Sequence, residues 1–218
     1  MNEYIDSTNL KMDATIIDIE KLCNDAIEYL FPTVCIHPYY VPFAKKMLEN
    51  TNVDICTVIG FPLGMNAKEV KVYEAINAIN EGAKEIDMVI NIGALKDKDY
   101  DHIKDEIEEI RDSIDGNILK VIIETSLLTE EEIIKMTQIC NETYVNFIKT
   151  STGFGKTGAS IEDIKIINKH KNEVLEIKAS GGIKTKEDVE KFLDLGVTRI
   201  GTSKGKEIME EIWNYMMI

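Results

Sequence analysis

Two kinds of segment take turns along this chain, and that alternation constrains the fold more than any other feature. One kind is short and rich in β-branched residues: "TVCIH" from Thr33, "DICTVIGF" from Asp54, "EIDMVINI" from Glu85, "LKVIIET" from Leu119, "VNFIK" from Val145, "VLEIKAS" from Val174 and "VTRIGTS" from Val197, with a shorter "YID" at Tyr4. Near-continuous apolar runs of this kind are what a parallel sheet buries on both faces. The other kind has helical spacing. Ile16, Ile19, Leu22, Cys23, Ala26, Ile27 and Leu30 make one stripe, Val72, Ala75, Ile76 and Ile79 a second, and Ile103, Ile107, Ile110 and Ile114 a third. Thr129 with Glu132 reads as a capping box, with weaker versions at Ser160/Asp163 and Thr185/Asp188, and Gly82 and Gly196 stand where helices should end.

Strand followed by helix, repeated about eight times, implies parallel strands joined by right-handed crossovers. In 218 residues without a Pro/Gly/Ser linker, this predicts one domain over 1–218, a closed (β/α)8 TIM barrel with a short helix ahead of the first strand. An open doubly wound sheet is the alternative, but no G-x-G-x-x-G follows the first strand.

Twenty-five basic against 39 acidic side chains leave a net charge of −14. That argues against a duplex nucleic-acid binder and against an anionic membrane surface, while leaving room for a locally positive pocket. The four cysteines form no C-x-x-C, and Cys35, Cys56 and Cys140 read as buried, reduced thiols. No basic-then-apolar leader and no long apolar run is visible, so the expectation is a cytoplasmic protein.

In such a barrel the chemistry sits at the C-terminal ends of the strands. Three late strands run there into glycine- and hydroxyl-rich segments, at residues 150–158, 179–183 and 202–212. Glycine alone explains a tight turn; three neighbouring loops of this kind also suit a phosphate. Lys149 and Lys178 each close an apolar strand. A lone lysine there is an ordinary surface residue, but two on adjacent strands bring their amines together in the barrel mouth. Repulsion and desolvation then favour one neutral amine, a nucleophile towards carbonyls. Asp87, inside the fourth strand, needs a partner; it is either a structural ion pair to an interior lysine or a proton-transfer partner of the pair. Asp6 on the first strand is a similar case.

With "YIDSTNLKMDAT" (4–15), "VCIHPYYV" (34–41), "TVIGFPLGMNAKEVKVYEA" (57–75), "EIDMVINIG" (85–93), "FIKTSTGFGKTGAS" (147–160), "IKASGGIKT" (177–185) and "RIGTSKG" (199–205), the chain resembles the deoxyribose-phosphate aldolase family over essentially its whole length. The resemblance implies a class I aldolase without metal or other cofactor. It would reversibly cleave 2-deoxy-D-ribose 5-phosphate to acetaldehyde and D-glyceraldehyde 3-phosphate, in deoxynucleoside breakdown. It implies Lys149 as Schiff-base lysine, Lys178 as the second lysine that lowers the first one's pKa and joins the relay, and Asp87 as proton donor and acceptor. Gly153, Gly181, Gly182, Gly201 and Ser203 correspond to phosphate contacts, and Thr152, Thr8 and Asp6 to sugar contacts or the relay. A homodimer or higher homo-oligomer is the implied assembly. Ser7, Asn9, His37 and Lys204 depart from the family's usual residues, and Lys204 would add to phosphate attraction.

Two other readings are set beside this one. A phosphate-binding barrel isomerase or synthase would keep the glycine loops without needing both lysines. A non-catalytic sugar-phosphate binding barrel would be expected to lose Lys149 or Asp87, and both are here.

Overall fold

A computed structural model describes the backbone of residues 1–216 and the side chains of residues 1–212, so the side chain of Tyr215 falls outside the described residues. Eight parallel strands close into a barrel in sequence order: β1 (Ile5–Asn9), β2 (Thr33–Ile36), β3 (Asp54–Ile59), β4 (Glu85–Val89), β5 (Ile118–Ile122), β6 (Phe147–Lys149), β7 (Glu176–Ser180) and β8 (Arg199–Thr202). The ring closes through β1 and β8, with Asp6 opposite Gly201. The open-sheet alternative is thereby excluded. The helix expected ahead of the first strand is a single 3-10 turn, Asn2–Tyr4.

The helices between and after the strands are α1 (Ile16–Tyr29), α2 (Val41–Leu48), α3 (Lys68–Glu81), α4 (Ile92–Lys96), α5 (Tyr100–Ser113), α6 (Glu130–Glu142), α7 (Ile161–His170), α8 (Lys186–Leu193) and α9 (Gly205–Met216). Their starts follow the capping chemistry. The boxes at Thr129/Glu132 and Thr185/Asp188 are complete, Ser160 accepts from the Asp163 amide, and Thr15/Asp18 adds a box that the sequence reading passed over. Gly82 caps α3 with φ 123°. The α3 stripe lies one residue round from its expected place: Lys71, Ala75 and Ala78 are buried, whereas Ile76 is exposed. The two small alanines let the helix approach the sheet, and Lys71 reaches past them to an internal carboxylate.

The strands divide their faces sharply. Outward side chains such as Val34, Ile86, Val121, Ile148, Ile177 and Ile200 form one apolar cluster with Ile19, Cys23, Ala26, Ile103, Ile107 and Ile110 from the helices. The inward positions are mostly polar and stack in layers of four drawn from alternate strands, the arrangement this architecture imposes. The lowest layer holds Thr33, Glu85, Phe147 and Arg199; the Arg199 guanidinium donates to Thr33 and Glu85 and lies over the Phe147 ring. Asp6, Cys56, Lys120 and Lys178 form the next, and Cys35, Asp87, Lys149 and Gly201 the third. A barrel that buries this much charge is built around a site, since apolar layers would be cheaper in free energy.

Candidate active site

Asp87 stands at the centre of the charged layers. Pairing of β4 with β5 puts it opposite Lys120, and pairing of β6 with β7 puts Lys149 opposite Lys178. Asp87 Oδ2 accepts from Lys149 Nζ at 2.8 Å and from Lys178 Nζ at 2.7 Å, while Oδ1 accepts from Lys120 Nζ at 2.8 Å. Lys178 also donates to Asp6, and Lys120 pairs with Glu85 at 2.5 Å. The Cys56 thiol donates to Asp87 Oδ1 and accepts from Lys120, both at 3.2 Å.

Burial would raise the Asp87 pKa, but Lys120, Lys149 and Lys178 together hold it well below the usual carboxylate range. Asp6 is shifted the same way: Lys178 and Lys120 outweigh its desolvation. Burial would lower Lys178, yet Asp6 and Asp87 raise it well above the usual lysine value, and Lys120 is raised for the same reason. The two deep lysines are therefore fixed cations. Burial first, and contact with Cys35 second, push the Cys56 thiol upward, so it remains protonated.

Above this layer opens a cavity of about 570 Å³. Its wall includes Lys149, Thr8, Thr152, Gly153, Gly181, Gly182, Gly201 and Ser203. Asp6, Asp87 and Lys178 lie beneath it with no exposed surface. The expected site residues thus sort into a cavity lining and a buried charge network, with Lys149 belonging to both. Thr8 is spent locally, donating to the Asp6 carbonyl at 2.8 Å. Gly201 does more than border the cavity: a Cβ there would lie 3.1 Å from Lys178 Cε and 3.0 Å from Ser180 Cβ, so its lack of a side chain admits the lysine stem. A Cβ on Gly158 would sit 1.9 Å from the Gly181 carbonyl oxygen, so the β6–α7 and β7–α8 loops touch backbone to backbone.

Among the departures, His37 Nε2 lies 3.1 Å from the Leu10 carbonyl and its ring meets Phe61 edge-on. Lys204 also borders the cavity, but its amine pairs with Glu207 at 2.7 Å, which offsets the added positive charge. Lys120, Glu85 and Cys56 were missed in the sequence. Lys120 lacked the signal that singled out Lys149 and Lys178, since it stands near the start of its apolar run and not before a glycine loop; only the β4–β5 register sets it beside Asp87. Among the described residues, one set of side chains is close enough to hold a cation: Asp6, Cys35, Cys56 and Asp87, with ligand atoms within 4.8 Å of one another. Ammonium groups of Lys120 and Lys178 already occupy those carboxylates, so the donor set suits lysines better than a metal ion.

Residues 3–211 match the family model described as DeoC/LacD family aldolase. The chain belongs to that family. A deoxyribose-phosphate aldolase of Thermoanaerobacter sp. (strain X514) is 50% identical over 97% of this chain and 96% of its own. One from Mycoplasma capricolum is 49% identical over 96% and 94%. A solved structure from Aeropyrum pernix, described as a tetrameric deoxyribose phosphate aldolase, superposes with a TM-score of 0.90 at 28% identity, covering 97% of this chain and 90% of that one. The enzyme is accordingly an aldolase, a carbon–carbon lyase, on a TIM barrel. Among the described residues, no helix is long and apolar enough to cross a membrane.

Proposed function

We propose that this enzyme reversibly cleaves 2-deoxy-D-ribose 5-phosphate to acetaldehyde and D-glyceraldehyde 3-phosphate through a Schiff base on Lys149, within one domain spanning residues 1–218. One observation carries the reading: of three amines gathered on Asp87, only that of Lys149 also borders the cavity. Lys178 and Lys120 each hold two carboxylates; Lys149 has one, shared with both of them.

The Lys149 amine, as free base, adds to the C1 aldehyde of the open-chain sugar. Asp87, 2.8 Å from Nζ, carries the proton that leaves the nitrogen and returns to the departing hydroxyl. Water leaves and an iminium remains. The acetaldehyde fragment is C1 and C2, so the C2–C3 bond breaks; its electrons enter the iminium as the C3 hydroxyl gives up its proton and becomes the aldehyde of the three-carbon product. Protonation of the enamine at C2 and hydrolysis release acetaldehyde and restore Lys149. Lys178 stays cationic throughout, fixing Asp87 and Asp6 and holding positive charge beneath the reacting nitrogen.

The 5-phosphate is assigned to Gly153, Gly181, Gly182, Gly201 and Ser203, beside the start of α9, whose first residues Gly205 and Lys206 also border the cavity. Free N–H groups at a helix start favour an anion there, and anchoring the distal end orients C1 towards Lys149. Thr152 and Thr8 would face the sugar between the two ends. The assembly we propose is a homodimer or higher homo-oligomer in the cytoplasm. It is supported by the tetrameric description of the Aeropyrum relative and by exposed Leu63, Met65 and Tyr73 on the β3–α3 loop and α3; a monomeric sedimentation coefficient would refute it.

The decisive experiment is borohydride trapping with acetaldehyde, read by intact mass and peptide mapping. A two-carbon adduct on Lys149, absent in Lys149→Ala, is expected. A folded protein that forms no adduct would remove the mechanism and favour a phosphate-binding barrel with other chemistry.

A further inference from the structure

One buried carboxylate near the cavity takes no part in the lysine network. Glu124 lies two residues beyond β5, with φ 51° and ψ 66°, a left-handed backbone that a side-chain-bearing residue adopts only when its surroundings enforce it. It is 3% exposed, and none of the ion pairs among the described residues includes it. Its oxygens are satisfied by neutral donors instead. Oε2 accepts from both the amide and the hydroxyl of Thr152, at 3.0 and 2.5 Å, and Oε1 accepts from the Ser126 hydroxyl at 3.0 Å.

These bonds tie the end of β5 to the β6–α7 loop. The backbones on either side are joined as well: the Ile123 amide donates to the Lys149 carbonyl and the Thr125 amide to the Thr150 carbonyl. The carboxylate also sets how close the loop can come, because a Cβ on Gly155 would lie 2.5 Å from Glu124 Oε1. Further along, the loop rests on the Gly181 backbone through Gly158. The stretch carrying Thr152, Gly153 and Phe154 is thus suspended between Glu124 and Gly181, and all three residues border the cavity. With its hydrogen given to Glu124 and one lone pair taken by the Phe154 amide at 3.0 Å, the Thr152 oxygen can offer a ligand only an acceptor.

We propose that Glu124 is a positioning residue for the sugar-phosphate. It holds the Thr152–Phe154 wall in place and fixes the Thr152 hydroxyl as an acceptor for a substrate hydroxyl. It acts on the distal part of the substrate, not on the Lys149 amine. This inference rests on the aldolase reading above.

The experiment compares Glu124→Gly, Glu124→Gln and Gly155→Ala with the unmodified enzyme in two assays. One is cleavage of 2-deoxy-D-ribose 5-phosphate, as kcat and KM; the other is the rate of borohydride-trapped acetaldehyde adduct on Lys149. Glycine removes the carboxylate at a position whose backbone favours it. Expected for E124G is a loss of roughly tenfold to a hundredfold in kcat/KM on the phosphosugar, with trapping within about twofold of normal. Glutamine keeps an oxygen able to take both Thr152 donors, so E124Q should restore cleavage to within about threefold. Should E124G fail to fold, G155A decides: it leaves Glu124 and β5 intact, directs a methyl group at the carboxylate, and should reproduce the same split. Equal losses in both assays, no loss in either, or an E124Q as impaired as E124G would overturn the inference. Absence of an adduct in the unmodified enzyme would instead overturn the aldolase reading itself.

Discussion

At the scale of single residues, Asp87 has the most consequences, because three lysines depend on one carboxylate. Asp87→Asn keeps its shape and removes its charge. Lys178 keeps Asp6 and Lys120 keeps Glu85, but Lys149 loses the only ion-pair partner it has among the described residues. Leaving buried cations under-compensated should cost about 3 kcal/mol of stability, read by urea denaturation. Losing the proton carrier should lower kcat by about 10²–10⁴-fold. Asp6→Asn separates the two effects: among the described residues the ion pair it removes is the one with Lys178, so it should destabilise comparably while lowering kcat less. Equal kcat losses in both variants would show that the network acts as an undivided charge reservoir rather than through the Asp87–Lys149 contact. The sequence announced Asp87 because it breaks an apolar strand with a charge, and Lys149 and Lys178 because each follows an apolar run and precedes a glycine-rich loop. It did not announce Glu85, which opens its strand where a solvated acid is ordinary, nor Cys56, whose thiol is an unremarkable core group until register sets it beside Lys120.

Between elements, the contact most hidden from the sequence joins α3 to α5. Lys71 is fully buried; its amine lies 2.8 Å from Glu106 Oε1 and donates to the Val89 carbonyl at 2.9 Å. Burial pulls the Lys71 pKa down and pushes that of Glu106 up, the mark of a pair whose desolvation is incompletely repaid. Lys71→Met should therefore destabilise by about 3 kcal/mol, since it strands a buried carboxylate, while Lys71→Met with Glu106→Leu should recover most of that loss. A double variant no more stable than the single one would mean that the pair is worth more than apolar packing in its place. Helical periodicity located both helices but turned α3 by one residue, because a periodicity argument sorts lysine and glutamate to the solvent face. Only the meeting of the two helices over β4 gives each charge a reason to turn inward. Caps and strand runs, by contrast, are local chemistry, and elements bounded by them fell close to where the sequence put them, although β7 runs two residues past Lys178, its expected end.

For the whole molecule, the barrel encloses a charge network where many proteins enclose hydrocarbon, and this sets how stability responds to pH. Asp87 and Asp6 are held below their ordinary range in the fold, so their contribution is complete above the unfolded carboxylate value near ~4 and is lost only as pH falls through the lowered values. Lys178 and Lys120 are held above theirs, so their contribution is complete below ~10.4 and is lost only as pH rises past the raised values. Between these limits Asp6, Asp87, Lys120 and Lys178 keep the same charge in the fold. The stability advantage of the unmodified enzyme over Asp87→Asn should accordingly be constant from about pH 5 to about pH 9 and shrink in acid below ~4. Urea midpoints of both proteins across that range would show it. A step near neutrality that also appears between the unmodified enzyme and Asp6→Asn, a variant that keeps the Asp87–Lys149 pair, would mean that Lys178 is not the fixed cation on which Asp87 is held beneath Lys149. That dependence is a property of closure: a strand register shifted by one residue would send the same side chains outward to the helices and leave the chain neither a barrel interior nor a site.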